Sequence, residues 1–133
     1  MIILGDVGLN YFGNDYGDKS KKILLNRYGV PVFCIHGNHE MRPDALTYYK
    51  ETEWHGGKVY VEDGLSNLIF AMDGEIYDLD GSRAIVIGGA YSVDKYYRLE
   101  RGIKWFCDEQ PSEAIKEKVV NKLNVATSST KDK

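Results

Sequence analysis

An α/β fold, opening with a parallel βαβ unit and continuing into a mixed or antiparallel β meander, is what this sequence predicts. Three observations carry that reading. Two short apolar runs, Ile2–Leu4 and Val30–Ile35, flank a stretch with helical spacing and no hairpin turn. Further runs rich in Val, Ile, Tyr and Phe crowd between Lys58 and Ile87. The dipeptides Asp73-Gly74 and Asp80-Gly81 separate the last three of them, and both are tight-turn signals.

The elements follow in order. Ile2–Leu4 ends in Gly5-Asp6 and reads as a buried strand that delivers Asp6 to its carboxyl tip. Asn10–Asp18 is rich in Gly, Asn and Asp and reads as loop. In Lys19–Tyr28, Ile23, Leu24 and Tyr28 can share one helical face, with Gly29 and Pro31 as stop signals. Val30–Ile35 is a second buried strand, closed by His36-Gly37-Asn38-His39. Pro43 would open a helix over Asp44–Thr52, ended by Gly56-Gly57. Lys58–Val61, Asn67–Met72, Glu75–Leu79 and Arg83–Ile87 are the meander. Lys95–Phe106 reads as helical in part, and Ser112–Leu123 as a helix with Ser112 as N-cap. The domain is expected to span 1–124, and the small, polar segment 125–133 to be a disordered tail.

The chain has 133 residues, 43% hydrophobic and 28% charged, with a net charge of −3. That suits one globular domain with a real core, and excludes a disordered chain. Lys and Arg are spread along the chain, so no clear nucleic-acid surface is expected. No apolar stretch nears the roughly 20 residues of a membrane helix, so no membrane partner is expected. Cys34 and Cys107 read as reduced thiols of a cytoplasmic protein.

Two clusters carry chemistry, and both fall at predicted strand ends. They are Gly5-Asp6 and Gly37-Asn38-His39-Glu40. In open α/β sheets, ligands gather outside the carboxyl ends of the strands. Neighbouring parallel strands would bring Asp6 and Asn38 together there. A carboxylate can bridge cations, and a carboxamide oxygen can complete the shell of a hard or borderline metal. His39 would stand beside the metal shell as proton donor or charge stabiliser. Gly5 and Gly37 let the backbone turn beside the ligands, and Glu40 would support or cap them.

These residues resemble the second and third motifs of calcineurin-like metallophosphoesterases. Gly88-Gly89-Ala90-Tyr91-Ser92-Val93-Asp94-Lys95 and Trp105-Phe106-Cys107-Asp108-Glu109-Gln110 further resemble a prokaryotic and phage branch of that family. The resemblance implies an α/β sandwich and a hydrolase that takes a phosphoester substrate. It implies two divalent metals, manganese, iron or zinc, that clamp the phosphoryl oxygens and activate water. Asp6 would match the bridging carboxylate and Asn38 a ligand of the second metal. His39 would match the catalytic histidine, and Asn38 and His39 would meet substrate.

Departures from the pattern shape the expectation. The family's first motif, Asp-x-His, would precede residue 1, and no histidine follows His55. The resemblance therefore implies a domain truncated at both ends, with no metal or one, and weak or no activity. The protein-phosphatase branch carries Asp and Arg where this chain has Leu9 and Asn10, which argues against that branch. The alternative function is a non-catalytic remnant, or a module that forms a homodimer through an exposed sheet edge. Other polar residues take plainer readings. His36 is structural, and His55 is a loop histidine packed on Trp54. Asp94, Asp108 and Glu109 form a solvated face, and Tyr91, Tyr96 and Tyr97 cover a core.

Overall fold

The computed structural model describes residues 1–131. It is a mixed α/β fold built on one five-stranded sheet. Strand β1 (Ile2–Leu4) leads through helix α1 (Asp15–Arg27) to strand β2 (Val32–Ile35), and the two strands pair in parallel, Leu4 opposite Ile35. Strands β3 (Tyr49–Trp54), β4 (Gly57–Glu62) and β5 (Leu68–Ala71) complete the sheet in the order β1-β2-β5-β4-β3. β5 runs parallel to β2 and antiparallel to β4, so the sheet is mixed. Strands β6 (Ile76–Leu79) and β7 (Ser82–Ile85) form a separate hairpin. Helices α2 (Lys95–Arg101) and α3 (Glu113–Lys131) follow.

Alternation along β2 builds a core on both sheet faces. Val32 and Cys34 join Leu9, Leu65, Leu68 and Phe70 on one face, with Leu25 of α1 packed over them. Phe33 joins Val59, Ile69, Ala71, Tyr77 and Val86 on the other. There Phe33 stacks on Trp54 at 4.6 Å and meets Tyr77 edge-on at 5.0 Å. Such pairs add about 1 kcal/mol each beyond the apolar area they bury. The Tyr77 hydroxyl accepts from the Met72 amide at 2.9 Å and donates to the Lys58 carbonyl, so burial leaves no polar orphan.

Several expectations need correction. The first strand, read as buried, is an edge strand that leaves Ile2 and Leu4 exposed and half-buries only Ile3. Helix α1 begins at Asp15, not Lys19, because Asn14 caps it: its Oδ1 accepts from the Gly17 amide at 2.7 Å. Its inward face is Asp18, Lys22 and Leu25, while Ile23, Leu24 and Tyr28 are exposed. Lys22 wins that face because Glu62 takes its ammonium at 3.0 Å, with the Tyr48 ring at 4.7 Å beneath it. The helix expected over Asp44–Thr52 is a short 3-10 turn, Pro43–Ala45, followed by β3. His55 and Gly56 take φ of 49° and 83°, the geometry of a two-residue hairpin turn, and lock Trp54 opposite Gly57. That long-range pairing overrides the local helical pattern.

Asp80-Gly81 does turn the β6–β7 hairpin. Asp73-Gly74 does not join paired strands: the chain leaves the sheet there, and Asp73 is buried against Arg42. Ser112 caps α3 through the Ile115 amide at 3.2 Å. The helix runs on to Lys131, where a disordered tail was expected from 125; Thr127 and Ser128 bond back to the carbonyls one turn earlier. Asp132 and Lys133 lie outside the described residues. No helix among the described residues is long and apolar enough to cross a membrane.

Candidate functional site

The parallel pairing of β1 with β2 carries both strand ends to the same place. Gly5 and Asp6 adopt φ of 97° and 50°, turning the chain sharply at the strand tip. Aspartate tolerates that left-handed region better than most side chains. The turn lays Asp6 against the exit of β2. Its Oδ1 accepts from the His39 amide at 3.0 Å, and its Oδ2 lies 3.4 Å from His39 Nδ1. The backbones approach so closely that only glycine fits at position 37.

A cavity of about 330 Å³ opens at these strand ends, lined by Asp6, Gly37, Asn38 and the Gly88-Gly89-Ala90 segment. The two sequence-predicted ligands, Asp6 and Asn38, therefore share one cavity, and His39 leans on the first of them. Glu40 is buried; its Oε1 accepts from the Gly37 amide at 2.8 Å and holds the turn. Burial pushes the Glu40 carboxyl above its usual range, against the pull of that amide. His36 is buried too, and burial, aided by Arg42, pushes its imidazole down to about 4. His55 lies on the Trp54 ring at 3.9 Å, at the β3–β4 turn.

Three features were not legible in the sequence. Arg42 is a buried clamp. It pairs with Asp73, donates to the Gly88 carbonyl at 3.1 Å, and donates to the Asp108 carbonyl at 2.9 Å. It thereby ties two distant loops to the exit of β2. Glu109 is 3% exposed rather than part of a solvated face, and it accepts from the Ser92 hydroxyl. Ser92 in turn accepts from the Asn38 Nδ2 at 3.0 Å. Asp94 pairs with Arg98 at 2.8 Å, and Asp108 is half-buried beneath Arg42. The tyrosines expected to cover a core do not: Tyr91, Tyr96 and Tyr97 are 51%, 75% and 53% exposed. The Gly-Gly-Ala-Tyr-Ser and Asp-Glu-Gln texture was the only available signal for Ser92 and Glu109.

As a donor set, Asp6 and Asn38 suit a hard or borderline divalent cation in kind. In number they are two, and no cluster of three or more His, Cys, Asp or Glu side chains able to hold a metal occurs among the described residues. Comparison with protein-family models, curated proteins and solved structures finds no match.

Proposed function

We propose that this chain carries part of a metal-dependent phosphoester hydrolase site of the calcineurin-like type, at the carboxyl ends of β1 and β2. The observation behind the reading is the shared cavity: a carboxylate, Asp6, and a carboxamide, Asn38, line it on glycine-rich backbone, and His39 lies against Asp6 beside it. Asp6 and the Asn38 carbonyl oxygen would hold one divalent cation, manganese, iron or zinc, with water in the remaining places. When bound, such a cation supplies Lewis-acid polarisation of a phosphoryl oxygen and a more acidic water. The protein's own part is positioning. His39 Nδ1 lies 3.4 Å from Asp6 Oδ2 and its Nε2 3.4 Å from Asn38 Nδ2, so the ring is held between the two proposed ligands, where it would pass a proton to a leaving oxygen.

Calorimetric titration with Mn²⁺ tests the binding step. One weak site, lost in Asp6→Ala and in Asn38→Ala, is expected. Hydrolysis of bis-p-nitrophenyl phosphate tests the chemistry. Slow manganese-dependent turnover that His39→Ala removes, with Mn²⁺ binding retained, supports the hydrolase. Absence of any Mn²⁺ heat refutes it and leaves the non-catalytic remnant.

A second reading, self-association, has its own observation. Edge strand β3 is guarded by Lys50, Glu51 and Glu53, whereas edge strand β1 exposes Ile2 by 50% and Leu4 by 80%. Unguarded apolar edges recruit partners. Sedimentation of the wild type as a dimer and of Leu4→Lys as a monomer would support a homodimer through β1. A monomeric wild type at high concentration refutes it.

A further inference from the structure

We infer that Ser92 and Glu109 are positioning residues for Asn38, fixing which end of its carboxamide faces the cavity. The inference rests on the reading above, in which the carbonyl oxygen is the end that meets a cation. The two ends of a carboxamide have nearly the same shape, so only hydrogen-bond partners tell them apart. Here the partners leave no choice. The Glu109 carboxylate can only accept. The single Ser92 proton goes to Glu109 Oε2, so Ser92 Oγ has only lone pairs left for its other neighbour. That neighbour must be a donor, and the Asn38 Nδ2 fills the place at 3.0 Å, with His39 Nε2 as its second neighbour at 3.4 Å. The Asn38 Oδ1 is thereby turned away from Ser92 and is kept as the acceptor end. The shorter of the two contacts to Nδ2 is the one set by Glu109, a carboxylate two hydrogen bonds away.

The frame that holds the relay is rigid. Ser92 is 2% exposed and Glu109 3% exposed, so water does not compete for these bonds. The Glu109 carbonyl accepts from the Ala90 amide at 3.0 Å. A Cβ on Gly89 would lie 2.2 Å from that carbonyl, so the two segments touch backbone to backbone. The Gly89 amide donates to the His36 carbonyl at 2.8 Å, which joins the same segment to the exit of β2. Polar groups behind a ligand commonly set its orientation and change cation affinity about 10–100-fold when removed.

The decisive variant is Glu109→Gln. It keeps size and shape but adds an amide donor. Ser92 Oγ can then accept from residue 109 and donate its own proton to Asn38, which allows the carboxamide to reverse. The experiment reads the side-chain NH₂ resonances of Asn38 in the metal-free protein, and Mn²⁺ affinity by calorimetry, in the wild type, Glu109→Gln, Ser92→Ala and Ser92→Thr. The expected result is a shifted Asn38 NH₂ pair in Glu109→Gln and Ser92→Ala, about tenfold weaker Mn²⁺ binding in both, and near wild-type behaviour in Ser92→Thr. Thermal unfolding reports fold integrity. A pair that merely packs two loops would lower the melting temperature and leave the Asn38 NH₂ resonances in place, and that result overturns the inference. Shifted resonances without Mn²⁺ uptake by any form would uphold the relay and overturn the metal site instead.

Discussion

Gly37 and Asp6 are in backbone contact: a Cβ at residue 37 would lie 2.0 Å from Asp6 Oδ1 and 2.1 Å from the Asp6 nitrogen. Backbone cannot yield as a flexible side chain can. Gly37→Ala is therefore expected to cost about 3 kcal/mol and to push Asp6 off the cavity. Urea unfolding measures the first effect. The amide resonance of His39, which donates to Asp6 Oδ1, measures the second. An unchanged His39 resonance would show that the turn relaxes elsewhere.

Arg42 and Asp73 form a buried ion pair, with side chains 10% and 6% exposed. Burial raises the Asp73 carboxyl above its usual range even though Arg42 and the Gly88 amide pull it down. Removing one partner strands the other charge. Arg42→Met should lose about 3–5 kcal/mol, and adding Asp73→Leu should recover part of it. A double-mutant cycle in urea checks this. Fully additive losses would mean that Arg42 acts through the Gly88 and Asp108 carbonyls rather than through Asp73.

Glu75 fastens α3 to the β6–β7 hairpin, accepting from Lys122 and from the Lys58 amide at 3.1 Å. Burial alone would raise its carboxyl, but the Lys122 bond, the Lys58 amide and the nearby Lys118 outweigh it and hold it below the usual range. A lowered folded-state value stabilises the fold above the unfolded value and is lost as pH falls through the folded one. Glu75→Gln should therefore cost about 1 kcal/mol at neutral pH, with the gap to wild type closing below about pH 4. Denaturant midpoints across pH measure it; a gap that stays constant refutes the charge-based account.

The two thiols should behave differently. Cys34 is 1% exposed in the core of β2, and burial pushes it up to about 12. Cys107 is exposed. Since the thiolate is the reactive form, a thiol-disulfide reagent at neutral pH should modify one cysteine in the native protein and both in denaturant. Mass spectrometry of the labelled peptides identifies which. Rapid native labelling of Cys34 would show that β2 opens easily.

The βαβ start, the placement of Asp6 and Asn38 at adjacent strand tips, the Asp80-Gly81 turn and the Ser112 cap were all legible in the sequence. Each is written in a few adjacent residues: an apolar run that stops at Gly-Asp, a turn dipeptide, a hydroxyl before a helix. Tertiary structure decided the rest. Local spacing gave α1 an apolar face of Ile23, Leu24 and Tyr28, but the inward face is the one whose Lys22 finds Glu62 across the sheet. Local pattern gave a helix after Pro43, but pairing with β4 made Tyr49–Trp54 a strand. Glu109 read as a surface carboxylate until the fold set Ser92 beside it. A side chain's periodicity is local, whereas burial of a charge or a hydroxyl depends on a partner far along the chain, and only the closed fold supplies that partner.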